Sequence, residues 1–129
     1  MKNSALYKAL GILFYAIAKS DGKVDELEKA KLKQEVQNKW LDFDQAEDAY
    51  GSDAAFAIGF AFELNLDQDE SSENAWRIFK EFYHQHQSVW TEELKLQVEQ
   101  TAAALAHAKS AYNKSELGIL TDLHLLLNP

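Results

Sequence analysis

Apolar positions recur at helical spacing along nearly the whole chain. Over residues 5–19 one stripe is formed by Leu6, Leu10, Leu13 and Ile17, and this spacing is typical of one face of an α-helix. The other sides of that segment are also apolar, which predicts a buried, central helix. No segment shows the strict alternation of polar and apolar residues that marks a half-buried strand. The pattern therefore predicts an all-α fold.

Six later segments follow the same helical pattern, and polar turns or capping residues separate them. They begin near Asp25, Asp42, Asp53, Ser72, Thr91 and Ser115. Aspartate, serine and threonine are preferred at helix N-termini, where their side chains accept backbone N–H bonds. Residues 53–66 contain the run AAFAIGFAFEL, which is apolar on all faces and predicts a second buried central helix. Together the segments predict a compact bundle of about seven helices.

Length and composition predict one globular domain. The chain has 129 residues, of which 47% are hydrophobic and 26% charged, so residues 1–129 suffice for one core. There is no cysteine, which excludes disulfides and cysteine-ligated metals. Only one proline and five glycines occur, and so few chain breakers favour helices over many short strands.

A short sequence echo links two parts of the chain. Residues 16–20 read AIAKS and residues 106–110 read AHAKS. A polar turn follows each copy, and then a capping residue stands at the same offset, Asp25 in the first and Ser115 in the second. This echo predicts two pseudo-repeated helix–turn–helix hairpins.

The first helical segment also has features of a short signal peptide. Lys2 and Lys8 precede an uncharged run over residues 9–18 that ends in an Ala-x-Ala pattern, so a cleaved leader over residues 1–18 is one alternative. The run is too short to span a bilayer, and the echo ties it to the folded body. We expect a buried helix, no membrane span and a cytoplasmic protein.

Charge is distributed unevenly, although the net charge is −8. Between Trp40 and Trp76 there is no lysine or arginine. The acidic residues in this interval are Asp42, Asp44, Glu47, Asp48, Asp53, Glu63, Asp67, Asp69, Glu70 and Glu73. Such a field repels phosphate backbones, which argues against a nucleic-acid partner, and attracts cations or a basic protein surface. A solvated acidic face that keeps the protein soluble is the simpler alternative.

Residues 21–28, DGKVDELE, resemble the second half of a calcium-binding loop. When Gly22 is placed at the loop's invariant glycine, Ile17 and Lys19 fall where oxygen ligands are required, and this excludes an EF-hand. Two interpretations remain. In one the stretch is a helix end at Gly22 followed by a capping box between Asp25 and Glu28.

In the other interpretation, Asp21, Asp25 and Glu28 hold calcium or magnesium weakly, together with waters. Capping accounts for Asp25 and Glu28. The capping interpretation leaves only Asp21 without a structural role, so a cation site remains an alternative.

Residues 18–28, AKSDGKVDELE, resemble the signature of the tellurite-resistance TerB family, an Ala-Asp-Gly turn followed by an acidic helix start. The order of predicted helices is also similar to that family's seven-helix domain. The resemblance implies a compact bacterial domain linked to metal or chemical stress, which binds cations through acidic residues and acts as a scaffold. By position it implies Asp21 and Glu28 as the matching acids, with Asp25 a weaker match. The second hairpin departs from the signature, with Ala111-Tyr112 where a repeated Asp-Gly would stand.

Motifs for catalysis are missing from the sequence. It contains no glycine-rich phosphate loop, no Gly-x-Ser-x-Gly and no His-Glu-x-x-His. We therefore expect a TerB-like interaction or scaffold domain with weak cation binding, and not an enzyme. The alternative is a metal-free module that uses the acidic residues 42–73 to bind a basic protein, and a small-molecule enzyme comes third.

Overall fold

The computed structural model describes residues 3–41, 55–108 and 114–129. Within these ranges the chain forms helices and no strand, which confirms the all-α prediction. The six α-helices are α1 (Asn3–Ala18), α2 (Glu26–Glu35), α3 (Ala57–Asp67), α4 (Ser72–Gln85), α5 (Glu92–Ala108) and α6 (Lys114–Leu127). The further helix predicted from Asp42 lies outside the described residues, so the count of about seven stays a prediction.

Helix α1 is the centre of the bundle, as its pattern predicts. It contacts α3, α4, α5 and α6, and the side chains of Leu10, Leu13, Phe14, Tyr15 and Ile17 are fully buried. Burial of each large apolar side chain stabilises the fold by about 1.5–3 kcal/mol, so this helix anchors the core. Although α1 is apolar nearly all round, neither it nor any other helix in the described ranges is long and apolar enough to cross a membrane.

A glycine sets the distance between α1 and α3. A Cβ atom at Gly11 would overlap the carbonyl oxygen of Ile58 and would lie 2.8 Å from the Cβ of Ala61. Glycine is the residue that allows such a close approach of one backbone to another. The two helices therefore pack with their backbones nearly in contact.

Helix α2 is joined to the core at its C-terminal end. A π-helical turn, Val36–Trp40, continues it, and the Trp40 indole N–H donates to Thr101 Oγ1 on α5 at 3.0 Å. The Trp40 ring also packs edge-on against Tyr7 of α1. One fully buried tryptophan thus holds the end of α2 against both α1 and α5.

Helix α3 differs from its prediction. Its Ile58 and Phe62 side chains are buried, but Phe56, Phe60 and Leu64 are 48%, 71% and 47% exposed. The prediction of burial on all faces is therefore wrong. The physical reason is that α1 covers one side of α3, whereas in the described ranges α2 is not closely packed on the other.

Among the last three helices, the structure agrees with the predicted starts of α4 and α5, but the cap predicted for α6 is not found. Thr91 caps α5 as predicted, since its Oγ1 accepts the Leu94 N–H at 3.1 Å. Helix α4 begins at Ser72 as predicted, and its cap is Ser71, whose Oγ accepts the Asn74 N–H at 3.1 Å. Ser115 lies inside α6 and is not its cap. The repeated cap is therefore not found at Ser115, and the pseudo-repeat of hairpins stays a prediction.

Candidate functional site

The turn between α1 and α2 contains the first candidate site. Gly22 has φ of +97°, the left-handed conformation predicted for the residue after a helix end. The Asp21 carboxylate accepts the backbone N–H of Lys23 at 3.2 Å. The expectation that Asp21 has no structural role is therefore wrong, because its side chain closes the turn.

The start of α2 confirms the predicted capping box. The Asp25 carboxylate accepts the Leu27 N–H at 2.8 Å. In return, Glu28 Oε1 accepts the Asp25 N–H at 2.9 Å. Two backbone donors that a helix start would leave without a partner are thus satisfied by reciprocal side chains.

The three predicted cation ligands lie in different surroundings. Asp21 is exposed, Asp25 is half-buried and Glu28 is fully buried. Across the described ranges, no group of three or more histidine, cysteine, aspartate or glutamate side chains is placed to hold a metal ion. The calcium or magnesium site stays a prediction, and two of its three carboxylates already serve the capping box.

An ion pair and a hydrogen bond fasten this turn to the loop between α3 and α4. Lys19 Nζ lies 2.8 Å from Asp69 Oδ1, and the Tyr15 hydroxyl donates to the Glu70 carbonyl oxygen at 2.6 Å. Asp69 has φ of +50°, a left-handed conformation that aspartate tolerates better than most residues. These contacts hold the end of α1 against the end of α3.

Electrostatics at this junction favour the charged forms. The hydrogen bond from Lys19, together with its positive charge, lowers the pKa of the Asp69 carboxyl. The same hydrogen bond raises the pKa of the Lys19 ammonium, and burial raises the pKa of the Tyr15 hydroxyl. All three shifts are those of a structural contact between opposite charges beside a buried phenol, and none moves a group toward neutral pH for proton transfer.

The second candidate site is a groove between α2 and α3. Its volume is about 550 Å³, within the range of pockets that bind ligands or side chains of a partner. Helix α2 contributes Leu32 and Val36, and the segment of α3 contributes Phe56, Phe60 and Leu64. Both walls therefore contribute apolar side chains.

Three of the lining side chains form an exposed row. Phe56, Phe60 and Leu64 follow one another at intervals of four residues, so they lie side by side along the helix. Each is about half exposed or more, and Phe60 reaches 71%. Apolar patches of this kind on a folded domain mark sites that bind a partner or ligand.

The two walls carry opposite charges. Lys29 and Lys33 line the groove on α2, while Glu63 and Asp67 line it on α3. Within the part of the chain that the structure describes, Lys33, Glu63 and Asp67 make no ion pair, and Lys29 makes only a 3.5 Å contact with exposed Glu26. The charges along the walls are therefore available to a bound molecule.

Gly59 lies in the groove among these residues. Among the described residues, a Cβ atom added there would meet no atom within 4 Å beyond its own helix. No other described element thus approaches the helix closely at this point, in contrast to its contact with Gly11 on the other side. The groove is open where Gly59 stands.

Sequence reasoning missed the groove, although the chain carries a signal for it. Within α3 the residues Ile58 and Phe62 form one apolar stripe, and Phe56, Phe60 and Leu64 form another. Only the first is needed to pack the helix on α1. A second aromatic stripe beyond that need, interrupted by Gly59, is a pattern that predicts a binding surface.

Comparison with known proteins gives no relative from which to take a function. No family model, curated protein or solved structure matches the chain. The resemblance to the TerB family therefore rests on residues 18–28 and on the order of the predicted helices, and it stays a prediction.

Proposed function

We propose that this chain is a protein-interaction domain that binds its partner in the groove between α2 and α3. The observation that carries the proposal is the exposed row of Phe56, Phe60 and Leu64 along an apolar groove. A folded domain gains about 1.5–3 kcal/mol by fully burying one such side chain. A partner that covers these three side chains explains why they are exposed in a row.

A protein partner explains this geometry better than a small molecule does. Small-molecule sites enclose most of their ligand's surface in a concave pocket, whereas Phe60 is 71% exposed. Aromatic side chains at the centre of an exposed patch are typical anchors of protein–protein interfaces. No catalytic role is part of this proposal.

The groove overlaps the acidic region that the sequence analysis assigned to a basic partner. Glu63 and Asp67 belong both to residues 42–73 and to the α3 wall. The proposal thus develops the hypothesis of a metal-free binding module and adds an apolar anchor to it. The acidic residues between 42 and 53 lie outside the described residues.

Two further expectations are compatible with this proposal and stay predictions. One is the scaffold role in metal or chemical stress that the TerB resemblance implies. The other is weak calcium or magnesium binding at Asp21, Asp25 and Glu28. Titration of each ion to about millimolar concentration, followed by amide NMR, tests the second, and a spectrum without localised shifts at residues 20–28 ends it.

The experiment that tests the interaction function compares two exposed positions. Phe60→Glu places a charge in the groove, whereas Leu96→Glu makes a similar change on α5, where the leucine is 58% exposed and does not line the groove. We expect partners captured from cells of the source organism to be retained by the wild type and by Leu96→Glu but lost by Phe60→Glu. Circular dichroism confirms that both variants remain helical. If Phe60→Glu captures the same proteins as the wild type, the groove is not the binding surface.

A further inference from the structure

We infer that the groove receives an amphipathic helix of a partner protein, with acidic residues on the flank that meets α2 and basic residues on the flank that meets α3. This inference rests on the proposed function and adds the shape and chemistry of the partner. It is carried by the length of the exposed row and by the opposite charges of the two walls.

The size of the apolar row fits one helix. Residues 56–64 extend over about 12 Å at 1.5 Å per residue. Apolar anchors at i, i+3 or i+4, and i+7 of a bound helix span about 10.5 Å, which is nearly the same distance. Two phenylalanines and one leucine at these exposures present on the order of 300 Å² of apolar surface. A standard interface between two folded domains needs about 800 Å² from each, so the row suits an inserted helix better than a second copy of this chain.

The charges of the walls specify the flanks of that helix. Lys29 and Lys33 are four residues apart on α2, and Glu63 and Asp67 are four residues apart on α3. Each pair is therefore aligned along its helix axis. A uniformly basic helix, which the net charge of −8 would favour, meets like charges on α2. Only a helix with one acidic and one basic flank has complementary charges on both walls.

The opposite charges of the two walls also make the two directions of a bound helix unequal in energy. Turning a helix end for end in a groove keeps its apolar face inward but exchanges its flanks. The acidic flank then meets Glu63 and Asp67 instead of the lysines, and like charges oppose one another. The charge pattern of the groove thus selects one direction of the partner helix.

Three labelled helical peptides test the inference on the full chain. Each has roughly 16 residues, a length at which a helix is marginally stable, and the same leucine stripe. The first has one acidic and one basic flank, the second has two acidic flanks, and the third has two basic flanks. Fluorescence anisotropy gives the three dissociation constants, and a scrambled peptide without the stripe is the blank.

We expect the peptide with one acidic and one basic flank to bind about three- to tenfold more tightly than the other two, because exposed ion pairs are individually weak. The Lys29→Glu/Lys33→Glu variant makes both walls acidic. In this variant the peptide with two basic flanks should bind most tightly. A groove that binds apolar side chains without regard to charge does not produce this change of preference.

Other outcomes separate the inference from the proposed function. Equal affinities for the three peptides, all abolished by Phe60→Glu, keep the groove as a binding surface and overturn the charged flanks. Self-association that Phe60→Glu abolishes, with no peptide bound, identifies a second copy as the occupant and overturns the partner helix. Binding that Phe60→Glu leaves unchanged overturns the inference and removes the groove from the proposed function. A chain that neither binds peptide nor self-associates overturns the helical partner, and the capture experiment then decides the function alone.

Discussion

The two sides of α3 are built from similar residues but have opposite surroundings. Toward α1, the helix lies so close that Gly11 leaves no room for a methyl group against Ile58 and Ala61. Toward α2, a Cβ atom added at Gly59 would meet no atom of the other described elements within 4 Å, and the aromatic side chain of Phe60 is 71% exposed. One side of α3 is a closely packed core, and the other is a surface of the same apolar character that no described element covers.

The contrast shows that a glycine or a phenylalanine has no fixed role in a helix. A glycine inside a helix costs about 1 kcal/mol relative to alanine. At Gly11 this cost is offset by the close packing of two helices, whereas packing within the described ranges gives no such reason at Gly59. Binding gives a reason for glycine at this position, because a residue without a side chain leaves the groove free for a partner. Gly59 therefore supports binding on the open side of α3.

Replacing one phenylalanine on each side of α3 by alanine should give the largest difference in stability between the two sides. Phe62 is 1% exposed, and Phe62→Ala should lower the free energy of unfolding by about 3–5 kcal/mol because it leaves a cavity in the core. Phe60→Ala removes the same atoms from the exposed side and should change stability by no more than about 0.5 kcal/mol. Urea unfolding followed by circular dichroism measures both. Comparable losses for the two variants would mean that Phe60 is covered in solution and that the groove is closed.

The two glycines should respond to alanine with opposite signs. Gly11→Ala inserts a methyl group against the backbone of α3, and overpacking should lower the free energy of unfolding by about 2 kcal/mol after the gain in helix propensity. Gly59→Ala should raise it by about 0.5–1 kcal/mol, since alanine is the better helix former and the site has space. The measurement is again the midpoint and slope of urea unfolding.

Gly118 on α6 provides the control for this pair. Among the described residues, a Cβ atom there would also meet nothing within 4 Å, so Gly118→Ala should match Gly59→Ala in sign and approximate size. A Gly59→Ala variant that is less stable than the wild type, beside a stabilised Gly118→Ala, shows that something occupies the space next to Gly59. That result contradicts an open groove.

Sequence patterns predicted the features that depend on neighbouring residues in the chain. The buried α1, the left-handed Gly22, the capping box of Asp25 and Glu28, and the Thr91 cap are all confirmed, because each follows from local spacing and side-chain chemistry. The all-α class follows from the same periodicity. These features can be predicted without knowing which helices pack against each other.

What the sequence did not predict depends on contacts between distant segments. The run AAFAIGFAFEL has the same pattern whether both sides of α3 are covered or one side is, so its apolar content alone does not show that Phe60 is exposed. Asp21 has a role in its turn that the spacing of acids did not indicate. The cap predicted at Ser115 is wrong because α6 begins one residue earlier, at Lys114, a difference that helix propensity does not resolve.

The two sides of α3 also differ in whether their charges form ion pairs. Breaking the ion pair on the side of α1 should have the smallest of the expected effects on stability. The end of α3 is tied to α1 through Lys19 and Asp69, which lie 2.8 Å apart. Because the folded pKa of Asp69 is lowered from its ordinary value of 3.8, the pair stabilises the fold above that pH. This stabilisation is lost as the pH falls through the lower, folded pKa, where the carboxylate takes up a proton. We expect the stability difference between the wild type and Asp69→Asn to be constant near neutral pH and to shrink below pH 3.8.

Asparagine is the suitable replacement, because it tolerates the positive φ of +50° at position 69 and removes the negative charge with little change in side-chain shape. Asp67→Asn is the matched control, since Asp67 makes no ion pair with any residue in the described ranges and lies at the same end of α3. High salt should reduce the Asp69→Asn difference further, as the Asp69 side chain is 84% exposed and its pair is screened. A difference that stays the same from neutral to acid pH would show that Lys19 and Asp69 do not pair in solution, and the closed side would then depend on helix packing and on the Tyr15 hydrogen bond to Glu70.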